Sequence, residues 1–170
     1  MALQSPFANL YESVMARIKE KVPAIKYIDQ DMGQLENYGL RPAVGFPCLL
    51  IDTDEFEFSE QGNDSRQLGD GFIIIRMGVP AWSSSSGFTP AAIREKALQY
   101  YEIENEIFKA LHRWSPDGFN RLLRRKVRTE KRDDEIRVRI IAFQVLYTDE
   151  SAVKNKTLAP KPDANIGINR

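Results

Sequence analysis

The sequence predicts an α+β fold: a mixed, mainly antiparallel β-sheet with two amphipathic helices packed on it, plus an extended C-terminal arm. Three observations predict it. Two segments, residues 6–22 and 93–112, repeat apolar residues at helical spacing. Five others, residues 25–29, 41–52, 71–79, 119–129 and 136–148, are short apolar or alternating runs separated by turn-forming or charged stretches. Residues 150–170 have little to pack. A chain of 170 residues holds one self-sufficient core, so we expect a single α+β domain over residues 1–149 and an extended or disordered tail over 150–170.

The first helix opens with Ser5 as N-cap and Pro6 at the first helical position, where a missing N–H costs little. Phe7, Leu10, Tyr11, Val14, Met15 and Ile18 then share one face, and Val22-Pro23 ends it. A short strand and the turn DMGQLENYG lead to RPAVGFPCLLID, residues 41–52, around which the chain is organised. Alternation puts Val44, Phe46, Cys48 and Leu50 on one face and Leu49 and Ile51 on the other, so both faces are covered at its C-terminal end. Pro47 donates no ladder hydrogen bond and argues for a sheet edge or a bulge; Gly45 argues for a bend or a close backbone approach.

Phe56 and Phe58 alternate with acids, and residues 59–71 are almost free of apolar side chains. That stretch reads as a strand end followed by a long mobile loop, with Gly69-Asp70-Gly71 as a turn. GFIIIRMGV, residues 71–79, reads as a strand buried on both faces that pairs with residues 44–51. After a serine-glycine spacer, Thr89-Pro90 starts the second helix, with Phe88 and Ile93 placed as a hydrophobic staple. Ile93, Ala97, Tyr100, Tyr101, Ile103, Ile107, Phe108 and Leu111 fall on one face, and Glu104 projects from its middle. A buried carboxylate needs a partner, so we expect Glu104 to bond an arginine, histidine or tyrosine of the sheet or of a neighbouring subunit. Residues 119–129 set Leu123 and Val127 against Arg121, Arg125 and Arg128, a strand with one wet, basic side. Residues 136–148 return with Val138, Ile140 and Ala142 facing one way and Arg137, Arg139, Ile141, Phe143, Val145 and Tyr147 the other.

Lys+Arg and Asp+Glu both total 24, so the chain as a whole has no attraction for nucleic acid or an acidic membrane. The distribution is uneven. Residues 1–112 carry 10 basic and 16 acidic side chains, whereas residues 113–139 carry 10 and 5, a polarity suited to head-to-tail assembly. The single cysteine, Cys48, has no internal disulfide partner, and its apolar neighbours predict a buried, inert thiol. No window approaches the length of a membrane span and the first residues lack the pattern of a signal peptide, so we expect a protein made in the cytosol. GxGxxG, Walker A, HExxH and CxxC motifs are absent, and the one histidine, His112, belongs at a helix end. We expect no cofactor, no metal site and no catalytic residue.

The strongest candidate site is basic. Arg121, Arg124, Arg125, Lys126, Arg128, Arg137 and Arg139, with Lys131 and Arg132 between, are interleaved by Leu122, Leu123 and Val127, and a hairpin would present several cations on one surface. Phosphate contact, a polar sheet face, or ion pairs to an acidic neighbouring subunit would each use it. The acidic group Asp52, Asp54, Glu55 and Glu57 has the ligand chemistry for Mg²⁺ in a nuclease, but the Arg76 strand offers no accompanying lysine, and a solvated strand end accounts for it better.

The order of these elements, and the pieces RPAVGFPCLLID, GDGFIIIRMGV, ALQYYEIENEIFKAL and DEIRVRIIAFQVLYTD, resembles the tail terminator (tail-completion) proteins of long-tailed bacteriophages and prophages over residues 7–149. The arginine-rich hairpin and the residues beyond 149 have no counterpart in that resemblance. It implies an α+β sheet with packed helices and a non-enzymatic virion protein made in the host cytoplasm. Six copies would form a ring on the head-proximal end of the tail tube, touching the tail tube protein and the head-completion protein. Gly62, Asn63, Asp64 and Arg66 in one loop, with Ser84 and Ser85 in another, would be the partner contacts, and the basic residues would line a lumen through which DNA passes unread. A contractile injection particle, or another neck or baseplate position, would share the layout. A nucleic-acid-binding module using residues 121–139 and, behind it, a metal-dependent nuclease are the alternatives.

Overall fold

Strand register in this molecule is set by runs with two different apolar faces, which can satisfy both only in the interior of a sheet. The computed structural model describes residues 5–36, 44–62, 65–81 and 84–153. Its elements are α1 (Pro6–Lys21), β1 (Tyr27–Gln30), β2 (Cys48–Gln61), β3 (Arg66–Pro80), α2 (Ala91–Leu98), α3 (Tyr100–Leu111), β4 (Leu123–Glu130) and β5 (Ile136–Asp149). The strands form one sheet in the order β1-β2-β3-β5-β4, parallel between β1 and β2 and antiparallel elsewhere. This is the α+β architecture expected. The isoleucine run of β3 takes the middle position.

The alternation read from β2 and β5 separates two cores. On the helix-covered face, Leu49 and Ile51 join Ile73, Ile75, Met77, Ile141, Phe143 and Val145 beneath Leu10, Val14 and Ile18 of α1 and Ile107 and Leu111 of α3. On the other face, Cys48 and Leu50 join Val138, Ile140, Val44 and Leu35. Each strand therefore buries alternate side chains in alternate cores. α1 starts after Ser5 with proline in its first turn, as expected, although the Ser5 side chain makes no cap bond.

Several expectations are corrected. Pro47 marks neither an edge nor a bulge: it lies just before β2, where no ladder donor is needed, its carbonyl accepts the Lys26 N–H at 2.9 Å, and β1 flanks β2 from Cys48 onward. Residues 59–71 are not a long loop. β2 and β3 stay paired out to Gln61 opposite Arg66, because exposed strands need few apolar residues. The sequence triplet Gly69-Asp70-Gly71 is not a turn but lies within β3, where the glycines make room for Phe56, Phe58 and Tyr147 from neighbouring strands. Those rings meet Phe7 of α1 and Phe119 edge-on or tilted, with Phe7 to Phe56 at 4.9 Å and Phe119 to Tyr147 at 4.8 Å.

The single long helix is also broken. At Gln99 the backbone N–H donates to Lys96 O, three residues back, and the helix divides there into α2, which buries no residue, and α3, which buries four. The staple does not close, since Phe88 is fully exposed and Ile93 is 46% exposed. The basic strand begins at Leu123, not at 119, because residues 112–122 pack as a turn against the end of α3 and β5.

Gly71 tests the aromatic packing. A Cβ there would lie 2.6 Å from Phe56 Cδ2, so Gly71→Val should cost about 1–3 kcal/mol by overpacking. Gly87→Ala, with nothing within 4 Å, should stay within about 0.5 kcal/mol of the parent. Urea unfolding followed by far-UV circular dichroism would measure both.

Candidate functional site

The bases of the β4–β5 hairpin do not share one surface. A bulge between Arg124 and Lys126 shifts the register, and alternate side chains go to opposite faces of the sheet. On the helix side, the Arg124 guanidinium lies 3.7 Å from the centre of the Phe108 ring, whose other neighbour is the stacked His112 ring. Arg137 covers Tyr100 at 4.7 Å, and Arg139 binds Glu104 through both Nε (2.6 Å) and Nη2 (3.2 Å). Glu104 thus has the sheet arginine that its place on an apolar face required. His112 ends α3, and its Nδ1 accepts the Arg124 N–H at 3.2 Å, tying β4 to the helix end.

On the helix-free side, Arg125, Lys126 and Arg128 form one wall of an open groove of about 410 Å³ whose floor is Phe72, Ile74, Ile140 and Ala142 and whose far side includes Asp54. Arg125 donates to Gln144 Oε1 at 2.9 Å, and Gln144 in turn donates to Asp70 at 2.8 Å. Lys126, Arg128 and Arg121 are exposed. Asp52, Asp54, Glu55 and Glu57 are likewise exposed along β2, and among the described residues no group of three or more His, Cys, Asp or Glu side chains is placed to hold a metal ion. Gly62 turns the β2–β3 hairpin with φ 78°, and Arg66 pairs with Glu150 at 2.8 Å. Asn63 and Asp64 lie outside the described residues, as do residues 154–170 of the expected arm. Ser84 and Ser85 are exposed, and Ser84 Oγ accepts the Thr89 hydroxyl at 2.9 Å.

Sequence reasoning missed a second charged assembly on the helix-free face. Arg76 donates to Asp31 at 2.9 Å and to Glu130 at 2.8 Å, and also pairs with Glu36. Arg132 donates to Glu130 at 2.7 Å and to the Leu35 carbonyl at 2.7 Å, and pairs closely with Asp134. Burial pushes the Glu130 carboxyl up, but the hydrogen bonds from Arg132 and Arg76 outweigh it and hold Glu130 below the usual carboxylate range. The available signal was Arg76 itself, a lone cation inside the apolar run of β3, which needs acids as surely as Glu104 needs a base. That run is not buried on both faces as expected, since Phe72, Ile74 and Arg76 on the helix-free side are only half-buried. Cys48 is fully buried, and desolvation pushes its thiol up to about 11. No helix among the described residues is long and apolar enough to cross a membrane.

No protein-family model matches the sequence, and the comparison with curated proteins found no match. Among solved structures, a chain in the virion of a native gene transfer agent (GTA) particle has a similar fold, with a TM-score of 0.52 at 9% sequence identity. The alignment covers 86% of this chain and all of that one.

Glu104→Ala should lower stability by about 3 kcal/mol, since it strands Arg139 at a site where both side chains are less than 15% exposed; the urea midpoint measures it. Glu130 makes stability depend on pH. Its folded pKa lies below its unfolded one, so as pH falls the unfolded state takes up the proton first. The contribution is complete above about pH 4.5 and is lost as pH drops through the folded value. Melting temperature should therefore fall as the pH is lowered below about 5, and Glu130→Gln should flatten that part of the profile while lowering stability at pH 7.

Proposed function

We propose that this chain is a structural protein of a phage-like particle, working through assembly with copies of itself and with other particle proteins. The observation that carries the reading is the likeness of its fold, over 86% of the chain, to a chain of the gene transfer agent virion. The finer assignment is a tail terminator: a ring, six copies in the expected form, that stops the tail tube and offers a surface to the head-completion protein. The order of elements supports it, and so does the surface. α2 buries none of its residues, and Phe88, Ile93, Leu98 and Tyr101, all exposed, follow one another along the α2–α3 segment. A helix that buries none of its residues is suited to a partner.

DNA enters this reading as cargo passing through, contacted by phosphate charge alone. A dedicated nucleic-acid-binding module is less favoured, because Arg124, Arg137 and Arg139 are engaged with α3 and leave a smaller free cationic set. For a nuclease, the four β2 carboxylates would have to converge, and they are strung along an exposed strand instead.

Sedimentation and negative-stain electron microscopy test the proposal. The purified chain should form closed rings and should cap tail tubes of its own particle at one end. A chain that stays monomeric at every concentration and leaves tube length unaltered would refute the terminator assignment.

A further inference from the structure

Both margins of the sheet are unfinished among the described residues. Of the 14 residues of β2, only Cys48 to Ile51 pair with β1, so residues 52–61 have β3 on one side and no strand on the other. There the Thr53 and Glu55 amides donate to the carboxylates of Asp52 (2.8 Å) and Asp54 (3.0 Å), the residue before each. At the opposite margin β4, 8 residues long, pairs with β5 alone. An open strand edge is a template for another strand, and charge on it decides which strand is admitted.

The two edges are complementary in three respects. The β2 edge carries Asp52, Asp54 and Glu57 on the helix-free face, opposite Ile74, Phe72 and Asp70, and the β4 edge carries Lys126 and Arg128 on that same face, opposite Ala142 and Ile140. The successive antiparallel pairings make β4 run opposite to β2. Setting the β2 of a second copy beside β4, with helices on the same side, therefore continues the antiparallel pattern and brings acids against bases. The free lengths also match. Pairing like edges would set cations against cations or acids against acids, which is disfavoured.

We propose that copies of this chain join edge to edge, the acidic outer edge of β2 in one copy pairing with the basic outer edge of β4 in the next. The inference rests on the ring reading and names its interface. The contact is heterologous, so it closes into a ring when the rotation per copy allows it. On pairing, the cations of β4 draw the Asp52 and Asp54 carboxylates away from the amides they cover, and those amides pass to the incoming strand.

Two double charge reversals at exposed positions test it: K126E/R128E and D54K/E57K. Each variant alone has two edges of one sign and should sediment at the 19.5 kDa monomer mass, while an equimolar mixture should recover rings in which the two alternate. Circular dichroism melts would show that each is folded. If either reversal unfolds, the neutral pairs K126Q/R128Q and D54N/E57N replace them, with the ring-forming concentration expected to rise about tenfold or more. Folded variants that keep the wild-type ring mass, or a mixture that stays monomeric, would overturn the edge pairing and leave the ring standing. A monomeric wild type would remove both.

Discussion

Arg76 is the constraint on which the arrangement turns. It sits on β3, the middle strand, on the face that no helix covers, and its partners come from both sides of the sheet: Asp31 and Glu36 follow β1, while Glu130 ends β4. Arg132 closes the circuit through Glu130 and the Leu35 carbonyl. Desolvation offsets much of the Coulomb gain of such a network, so its main consequence is geometric. It spans the sheet above Cys48, Leu50, Val138 and Ile140 and fixes how the segment after β1 lies on the second core.

The helix-covered face is held in a different way. There α1 and α3 contribute aliphatic side chains, and several cations are drawn in against α3: Arg124 on Phe108, Arg137 on Tyr100, Arg139 on Glu104 and Arg17 on the Ala110 carbonyl. One face is thus an ordinary aliphatic core with an aromatic and ionic rim. The other is a small core sealed by ions at one end and left as an open groove at the other. Together with two edges of opposite charge that no described strand fills, this gives a molecule whose exposed features are margins and a groove, which suits building with copies.

What the sequence disclosed was whatever depends on near neighbours. The two faces of residues 48–51, the alternation of β5, the proline-started first helix and the need of Glu104 for a base were all legible, because period and burial leave a local mark. Residues 59–71 were not. Their strands are exposed and polar, and the reason for Gly69 and Gly71 is the rings of Phe56 and Tyr147, which reach them only after the chain has paired. The division of the basic residues between faces depends on a bulge at Arg125 that no periodicity announces. The partners of Arg76 lie 40, 45 and 54 residues away in the chain, so the requirement for an acid was readable at Arg76 but its identity was not. The break at Gln99 is a single changed hydrogen bond in a segment whose apolar spacing runs straight through it.

The buried thiol of Cys48 has a practical consequence. Sealed in the second core and pushed up to about 11, it is protonated and unreachable at neutral pH, so it is shielded from maleimides in the folded protein. A cysteine placed on the outside becomes the one reactive thiol in the chain. Spin labels, fluorophores or zero-length tethers can then be set on chosen residues of the native background without first deleting anything.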